Sequence, residues 1–137
     1  MDQEHIYDLI IIGAGPAGLS AGIYAGRATL DTLILEADTV GGQVTTTSIV
    51  YNYPAAPAID GTKLANQMQK QAADFGVTIK RDGVQEVQLD GEIKVITTKS
   101  GHQYQARSVV VATGAHPRKV GFKGEDEFRG QIGRAHV

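Results

Sequence analysis

The run Ile6 to Ile12 (I-Y-D-L-I-I-I) leads straight into Gly13-Ala14-Gly15-Pro16-Ala17-Gly18. An isoleucine-rich run of this kind reads as a strand buried on both faces of a parallel sheet. The turn fits the G-x-G-x-x-G pattern, and Pro16 suits the first turn of a helix. From Pro16 to about Ala28 the residues are small and helix-compatible, and Thr32 to Glu36 (T-L-I-L-E) is a second short strand. Strand, glycine turn, helix and strand make a βαβ unit, whose crossover is expected to be right-handed. The glycine pattern alone is a weak signal, but here it follows a strand and opens a helix, the context it requires. Gly13 is expected to make the sharp turn, Gly15 to let the backbone touch a pyrophosphate, and Gly18 to let helix and strand pack closely. The ligand's charge then meets the unpaired N–H groups and positive dipole end of the helix. No lysine or arginine lies in the turn, so the main chain must supply most of the binding.

Glu36 ends the second strand 18 residues after Gly18, where a carboxylate accepts hydrogen bonds from an adenosine ribose. It would repel a 2′-phosphate, so the pattern favours FAD or NAD over NADP. Gly18, Gly22 and Gly26 recur on one helix face, each costing up to ~1 kcal/mol relative to alanine. A close helix–sheet contact is expected to offset that cost.

Beyond Glu36 the order of elements departs from a simple NAD domain. Val40 to Ile59 carries Gly41-Gly42, Thr45-Thr46-Thr47-Ser48, Pro54 and Pro57 without helical period, and reads as a long ordered loop. Thr62 to Phe75 is a helix with Leu64, Met68, Ala72 and Phe75 on one face, capped by Asp60 or Thr62 and ended by Gly76. Val77 to Lys80, Val84 to Leu89, Ile93 to Thr98 and His102 to Gln105 read as strands of a small antiparallel meander joined at Asp82-Gly83, Asp90-Gly91 and Ser100-Gly101. Ser108 to Ala112 is again a buried-strand run, returning the chain to the first sheet and ending in Thr113-Gly114-Ala115. The fold class is therefore α/β: a Rossmann-like, FAD-binding domain with a parallel sheet, a crossover helix and a small antiparallel β-meander. This order suits FAD better than NAD.

The chain has 137 residues, the size of one domain. Thirteen basic and fifteen acidic side chains give a net charge of −2, which offers no field to attract nucleic acid or an anionic membrane. With no cysteine, the chain itself carries no disulfide, thiolate metal site or thiol chemistry. The acidic start, Met1 to His5, and the short apolar run after it match neither a signal peptide nor a membrane helix, so a cytoplasmic protein is expected. Ile132 to Val137 (I-G-R-A-H-V) resembles one reading frame of a sequencing adapter. It is expected to be an artefact appended to an incomplete FAD-binding domain spanning 1–131, the alternative being a genuine or engineered tail.

The stretches D-L-I-I-I-G-A-G-P-A-G-L-S-A, G-G-Q-V-T-T-T, Y-N-Y-P, V-V-V-A-T-G-A and G-F-K-G-E-D-E-F-R-G, spread from Tyr7 to Gly130, resemble the N-terminal FAD-binding segment of bacterial thioredoxin reductases, in the pyridine nucleotide–disulfide oxidoreductase superfamily. The first and fourth are shared by many flavoproteins, while the others are more specific to this branch. The resemblance implies that Gly13, Ala14, Gly15, Pro16 and Ala17 cradle the FAD pyrophosphate, with Gly18 closing the fingerprint, and that Glu36 holds the ribose. Gly42 and Gln43 would lie along the cofactor, and Thr47 and Asn52 near its flavin end. Val84 would meet the adenine through its backbone, and Ala112, Thr113 and Gly114 would line the same cleft. The threonine cluster equally suits turn capping. Tyr51 and Tyr53 could pack on the cofactor or simply join the core. His5, His102 and His116 are isolated in sequence and read as surface residues, and Glu125-Asp126-Glu127 as a solvated charged stretch. One departure stands out: the family usually has glycine after N-Y-P, where this chain has Ala55, which would be strained by ~1 kcal/mol in a turn of positive φ.

Members of this family carry a redox-active Cys-x-x-Cys in an NADPH domain, which would lie beyond Gln131 in a homodimeric parent acting on thioredoxin. Catalytic residues are therefore not expected in this chain, and the 137 residues alone are expected to lack disulfide reductase activity. Two other readings remain at this level: another flavoprotein of the same architecture, such as a thioredoxin-reductase-like ferredoxin–NADP reductase, or a non-enzymatic dinucleotide-binding module. A true NAD dehydrogenase domain is a more distant one.

Overall fold

In the computed structural model the structure describes residues 5–116 and 118–128. Strand β1 (Ile6–Ile12) pairs in parallel with β2 (Thr32–Glu36) on one side and β8 (Gln103–Val111) on the other, and β2 pairs in parallel with β5 (Thr78–Arg81). Helix α1 (Pro16–Arg27) connects β1 to β2, and α2 (Gly61–Asp74) precedes β5. Strands β6 (Val84–Gln88) and β7 (Lys94–Thr98) continue the sheet antiparallel, giving the order β5-β2-β1-β8-β7-β6. A single helical turn, α3 (Glu125–Phe128), ends the described residues.

The apolar strands bury both faces, as their composition requires. Leu9, Ile11 and Ile34 pack with Leu19, Leu64, Met68, Ala72 and Val77 under the two helices. Ile10, Leu33 and Leu35 alternate to the other side, where they meet Ile96 of β7 and Ala106 of β8. The result is three layers, with helices on one face of the parallel sheet and the meander on the other. Alternation slips once: Tyr7 joins the meander-side core although Leu9, two residues on, faces the helices. At that point the N–H groups of Asp8 and Leu9 both donate to the Asp31 carbonyl, at 2.9 and 3.2 Å.

Four sequence expectations need correction. Thr78–Arg81 is no part of the meander; it is the edge strand of the parallel sheet, held against β2. The runs His102–Gln105 and Ser108–Ala112 form one continuous strand, β8, which pairs with β7 through Gln103–Ala106 and with β1 through Gln105–Val111. Within Val40–Ile59, Gly42–Thr46 makes a 3₁₀ turn, and β3 (Ile49–Val50) pairs antiparallel with β4 (Ile59–Asp60) to pin the loop at its base. Helix α2 starts as expected, with the Asp60 carboxylate accepting the Lys63 N–H at 2.9 Å. Phe75, however, lies past its end and is half-exposed, and the buried contact passes to Val77. The expected artefact at 132–137 lies outside the described residues.

The glycine stripe of α1 has its predicted use. A Cβ on Gly18 would fall 1.8 Å from the Gly13 carbonyl oxygen, one on Gly22 2.8 Å from Ile34 Cδ1, and one on Gly26 2.8 Å from Phe75 Cβ. The helix rests on the sheet at distances that exclude any side chain on that face.

Candidate functional site

β1, β2 and β8 all end on one edge of the sheet, and the glycine turn sits there. The Gly13 N–H donates to the Leu35 carbonyl at 2.8 Å, and the Ala112 N–H donates to the Ile12 carbonyl at 2.8 Å. Gly13 has φ +113°, and a Cβ there would lie 2.1 Å from the Ala112 oxygen, so conformation and space both require glycine. Gly15, at the N-cap of α1, differs: its φ of −79° suits any residue, and nothing lies closer to its Cβ position than Gly42 Cα at 4.0 Å. No side chain caps this helix and its first turn carries no acidic residue, so the N–H groups of that first turn have no anionic cap of their own.

Glu36, half-buried at the end of β2, uses both carboxylate oxygens: Oε1 accepts the Ala14 N–H at 2.8 Å and Oε2 the Asp38 N–H at 2.9 Å. Its orientation is thus fixed by the backbone on either side, and each carboxylate oxygen keeps a further lone pair able to accept a hydrogen bond. The Gly41-Gly42 loop arrives from the far side. The Gly41 N–H donates to the Ala14 carbonyl at 2.6 Å, and a Cβ on Gly42 would stand 3.2 Å from Gly15 Cα. Two loops far apart in sequence therefore face each other, glycine to glycine, over the start of α1. The Gln43 side-chain amide donates to the Ala115 carbonyl and ties this loop to the end of β8, beside Thr113 and Gly114.

Of the other residues singled out from sequence, Val84 opens β6 opposite Thr98, half-buried in the meander-side core; its neighbour Gly83 packs on Ala37, next to Glu36. Thr47 and Asn52 are exposed, and no hydrogen bond of either side chain ties them to the glycine turn among the described residues. Thr45 and Thr46 cap the 3₁₀ turn through the Gly42 and Gln43 carbonyls, both at 2.7 Å. Tyr53 packs against the helix-side core, whereas Tyr51 is exposed. Ala55 adopts φ +65°, a left-handed conformation that favours glycine. His5 and His102 are not isolated: each bonds a neighbour and stacks on a tyrosine. The acidic stretch is also structured, with Glu125 accepting the Val120 and Gly121 N–H groups and Asp126 pairing with Lys119.

Sequence reasoning missed Arg81. It stands opposite Glu36 in the β2–β5 register, and its Nε donates to the Asp38 carbonyl at 2.9 Å. The only signal for it was the pairing of β5 with β2, which no local pattern reveals. Gly61 was missed too; its Cβ position lies 2.0 Å from the Val44 oxygen, so the Gly41–Thr47 loop sits directly on the start of α2.

The pyridine nucleotide-disulphide oxidoreductase family model matches residues 7–136. A thioredoxin reductase of Peptoclostridium acidaminophilum is 45% identical over 94% of this chain and 41% of its own length, and one of Bacillus subtilis is 42% identical over 96% and 41%. The solved structure of Lactococcus lactis thioredoxin reductase superposes with a TM-score of 0.82 at 36% identity, covering 89% of this chain and 40% of that one. The chain thus spans about two fifths of the length of these relatives. With a family match over nearly the whole chain and the glycine turn at the sheet edge, the chain belongs to the pyridine nucleotide-disulphide oxidoreductase family.

Proposed function

We propose that this chain is the FAD-binding portion of a thioredoxin reductase. The observation that carries the reading is the meeting of Gly15 and Gly42 at the uncapped N-terminus of α1, with room for a Cβ at Gly15. The backbone of Gly13, Ala14, Gly15, Pro16, Ala17 and Gly18 would hold the pyrophosphate there, and Glu36 the adenosine ribose, with Val84 nearby at the adenine end. Gly42 and Gln43 would run along the cofactor, Ala112, Thr113 and Gly114 would form the opposite wall, and Thr47 and Asn52 would meet the flavin end. FAD, when bound, supplies the redox chemistry that links a nicotinamide to a disulfide.

The chain's own contribution is to bind and orient. Glu36, fixed by two N–H groups, discriminates against a 2′-phosphate by charge, and the backbone of the turn places its dipoles without a flexible cation. The complete protein would draw on NADPH, act on thioredoxin as a cytoplasmic homodimer, and supply its cysteine pair from sequence outside this chain, which has none. Relatives that bear the thioredoxin reductase name over 94–96% of this chain support that reading.

Titrating FAD into the 137-residue chain while following flavin absorbance and fluorescence tests it. Saturable binding with a shifted flavin spectrum, without NADPH-dependent disulfide reduction, is expected. Absence of binding, or NAD bound in preference to FAD, overturns the cofactor assignment.

A further inference from the structure

On the meander side of the sheet, away from the glycine turn though sharing Arg81 with the neighbourhood of Glu36, a cavity of about 900 Å³ opens between β5 and the β7–β8 hairpin. Four rings form a row in it. The His5 ring stacks on Tyr7 at 4.1 Å, Tyr7 meets Tyr104 edge-on at 6.4 Å, and Tyr104 stacks with His102 at 6.1 Å. The Lys80 Nζ lies 5.2 Å from the centre of the Tyr104 ring. The nearby acids are already engaged: Asp31 with His5 at 2.6 Å, and Asp82 with the Ser100 hydroxyl at 2.5 Å and with His102 at 3.6 Å. Lys80 has no carboxylate partner among the described residues. Of the charged residues that line the cavity, Lys80 and Arg81 outnumber Asp82, so its net charge is positive, and it stands beside aromatic surface. Burial holds the Tyr7 hydroxyl above its ordinary pKa, although Lys80 pulls the other way, so that hydroxyl is a neutral donor at pH 7.

We propose that this cavity binds a small planar anion, its aromatic ring lying along the tyrosine row and its acidic group on Lys80. Stacking favours any flat ring, and Lys80, the cation that stands over the Tyr104 ring, distinguishes charge there, with Arg81 adding to it from the cavity wall. The probe that tests this is 2-naphthoate, compared with the neutral 2-naphthamide, titrated into the isotope-labelled 137-residue chain and read from amide shifts. Saturable shifts at His102, Gln103 and Tyr104, unmoved resonances at Gly13–Gly18, and roughly fivefold tighter binding of the anion are expected. Because Lys80 is exposed, Lys80→Gln keeps the fold; it should lower naphthoate affinity about fivefold and leave naphthamide unchanged. No saturable shift, shifts centred on Gly13–Gly18, or equal affinities of the two probes in both proteins would overturn the proposal.

Discussion

Replacing Gly15 and Gly18 by alanine, one at a time, separates what the turn needs for folding from what it needs for a ligand. In Gly18→Ala the new Cβ falls 1.8 Å from the Gly13 oxygen and 2.8 Å from the Gly13 carbon. Both are backbone atoms, and Gly13 cannot retreat because its N–H is bonded to Leu35 and its Cβ position abuts Ala112. Overpacking of this kind costs about 1–3 kcal/mol or more, a fall in Tm of roughly 5–10 °C for a domain of this size. In Gly15→Ala the nearest atom is 4.0 Å away and φ is −79°, so stability should change by no more than about 0.5 kcal/mol. The methyl group would nonetheless occupy the space between the turn and an incoming phosphate. Losing one charge-assisted N–H bond of about 2–3 kcal/mol weakens FAD binding roughly 30- to 150-fold. Thermal melts by circular dichroism and FAD titrations on both variants provide the comparison. Should Gly15→Ala melt like Gly18→Ala, or bind FAD as tightly as the parent, the division of labour between the two glycines is wrong.

Ala55→Gly should stabilise the chain by about 0.5–1 kcal/mol in urea melts, because relief of the φ +65° strain outweighs the added freedom of the unfolded chain; an unchanged or lower midpoint contradicts this. Glu36→Gln leaves one acceptor for the two N–H groups of Ala14 and Asp38, so a loss of about 1–2 kcal/mol in stability and about tenfold in FAD affinity is expected from melts and titrations. Burial pushes the Asp82 carboxyl up, but the hydrogen bonds from Ser100 and Thr98 and the nearness of His102 outweigh it and hold the group below its ordinary value. A depressed carboxyl stabilises above its unfolded pKa and loses that contribution as pH falls through the folded value. The stability gap between the parent and Asp82→Asn should therefore be constant near neutrality and close below about pH 4; a gap that persists in acid would show that charge is not its cause. FAD affinity should vary less than about twofold between ~0.01 and ~0.15 M salt, since no lysine or arginine lies in the turn; a steep fall would transfer the binding to Arg81.

The first βαβ unit was legible almost to the residue, because its signals are local: an apolar run, a glycine turn with Pro16 inside it, and a second run ending at Glu36. The strands read less well where pairing depends on distant partners. Thr78–Arg81 is an edge strand with little burial, so nothing in T-I-K-R announces that it joins β2 rather than β6. In β8 the polar residues Gln105 and Arg107 flank Ala106 where the strand changes partner from β7 to β1, and the change in composition reads as a break. The same limit explains Arg81, whose place beside Glu36 exists only through that register. The ring row of His5, Tyr7, His102 and Tyr104 was invisible for a related reason, since it joins β1 to a strand far along the sequence.

The candidate site draws on segments far apart in sequence for a single geometric reason: parallel strands deliver their ends to one edge. β1 leads into Gly13, β2 ends at Glu36 and β8 leads into Ala112, and these ends are hydrogen-bonded to one another before any ligand is considered. The fourth segment, Gly41 to Thr47, is not part of that sheet; it is held by the Ala14 carbonyl on one side and by Gly61 at the start of α2 on the other. A Cβ at Gly61 would fall 2.0 Å from the Val44 oxygen and 2.4 Å from the Thr47 oxygen, so the loop's height above α1 depends on α2 remaining docked. Because the donors are main-chain groups, the site is encoded by where glycine occurs and not by which charges are present. That is why the glycine pattern points to this edge, while Thr47 and Asn52, chosen for their side chains, stand exposed with no side-chain hydrogen bond to the glycine turn among the described residues. It also means that a helix-packing substitution, remote from any ligand atom, should disturb the site as surely as one in the turn.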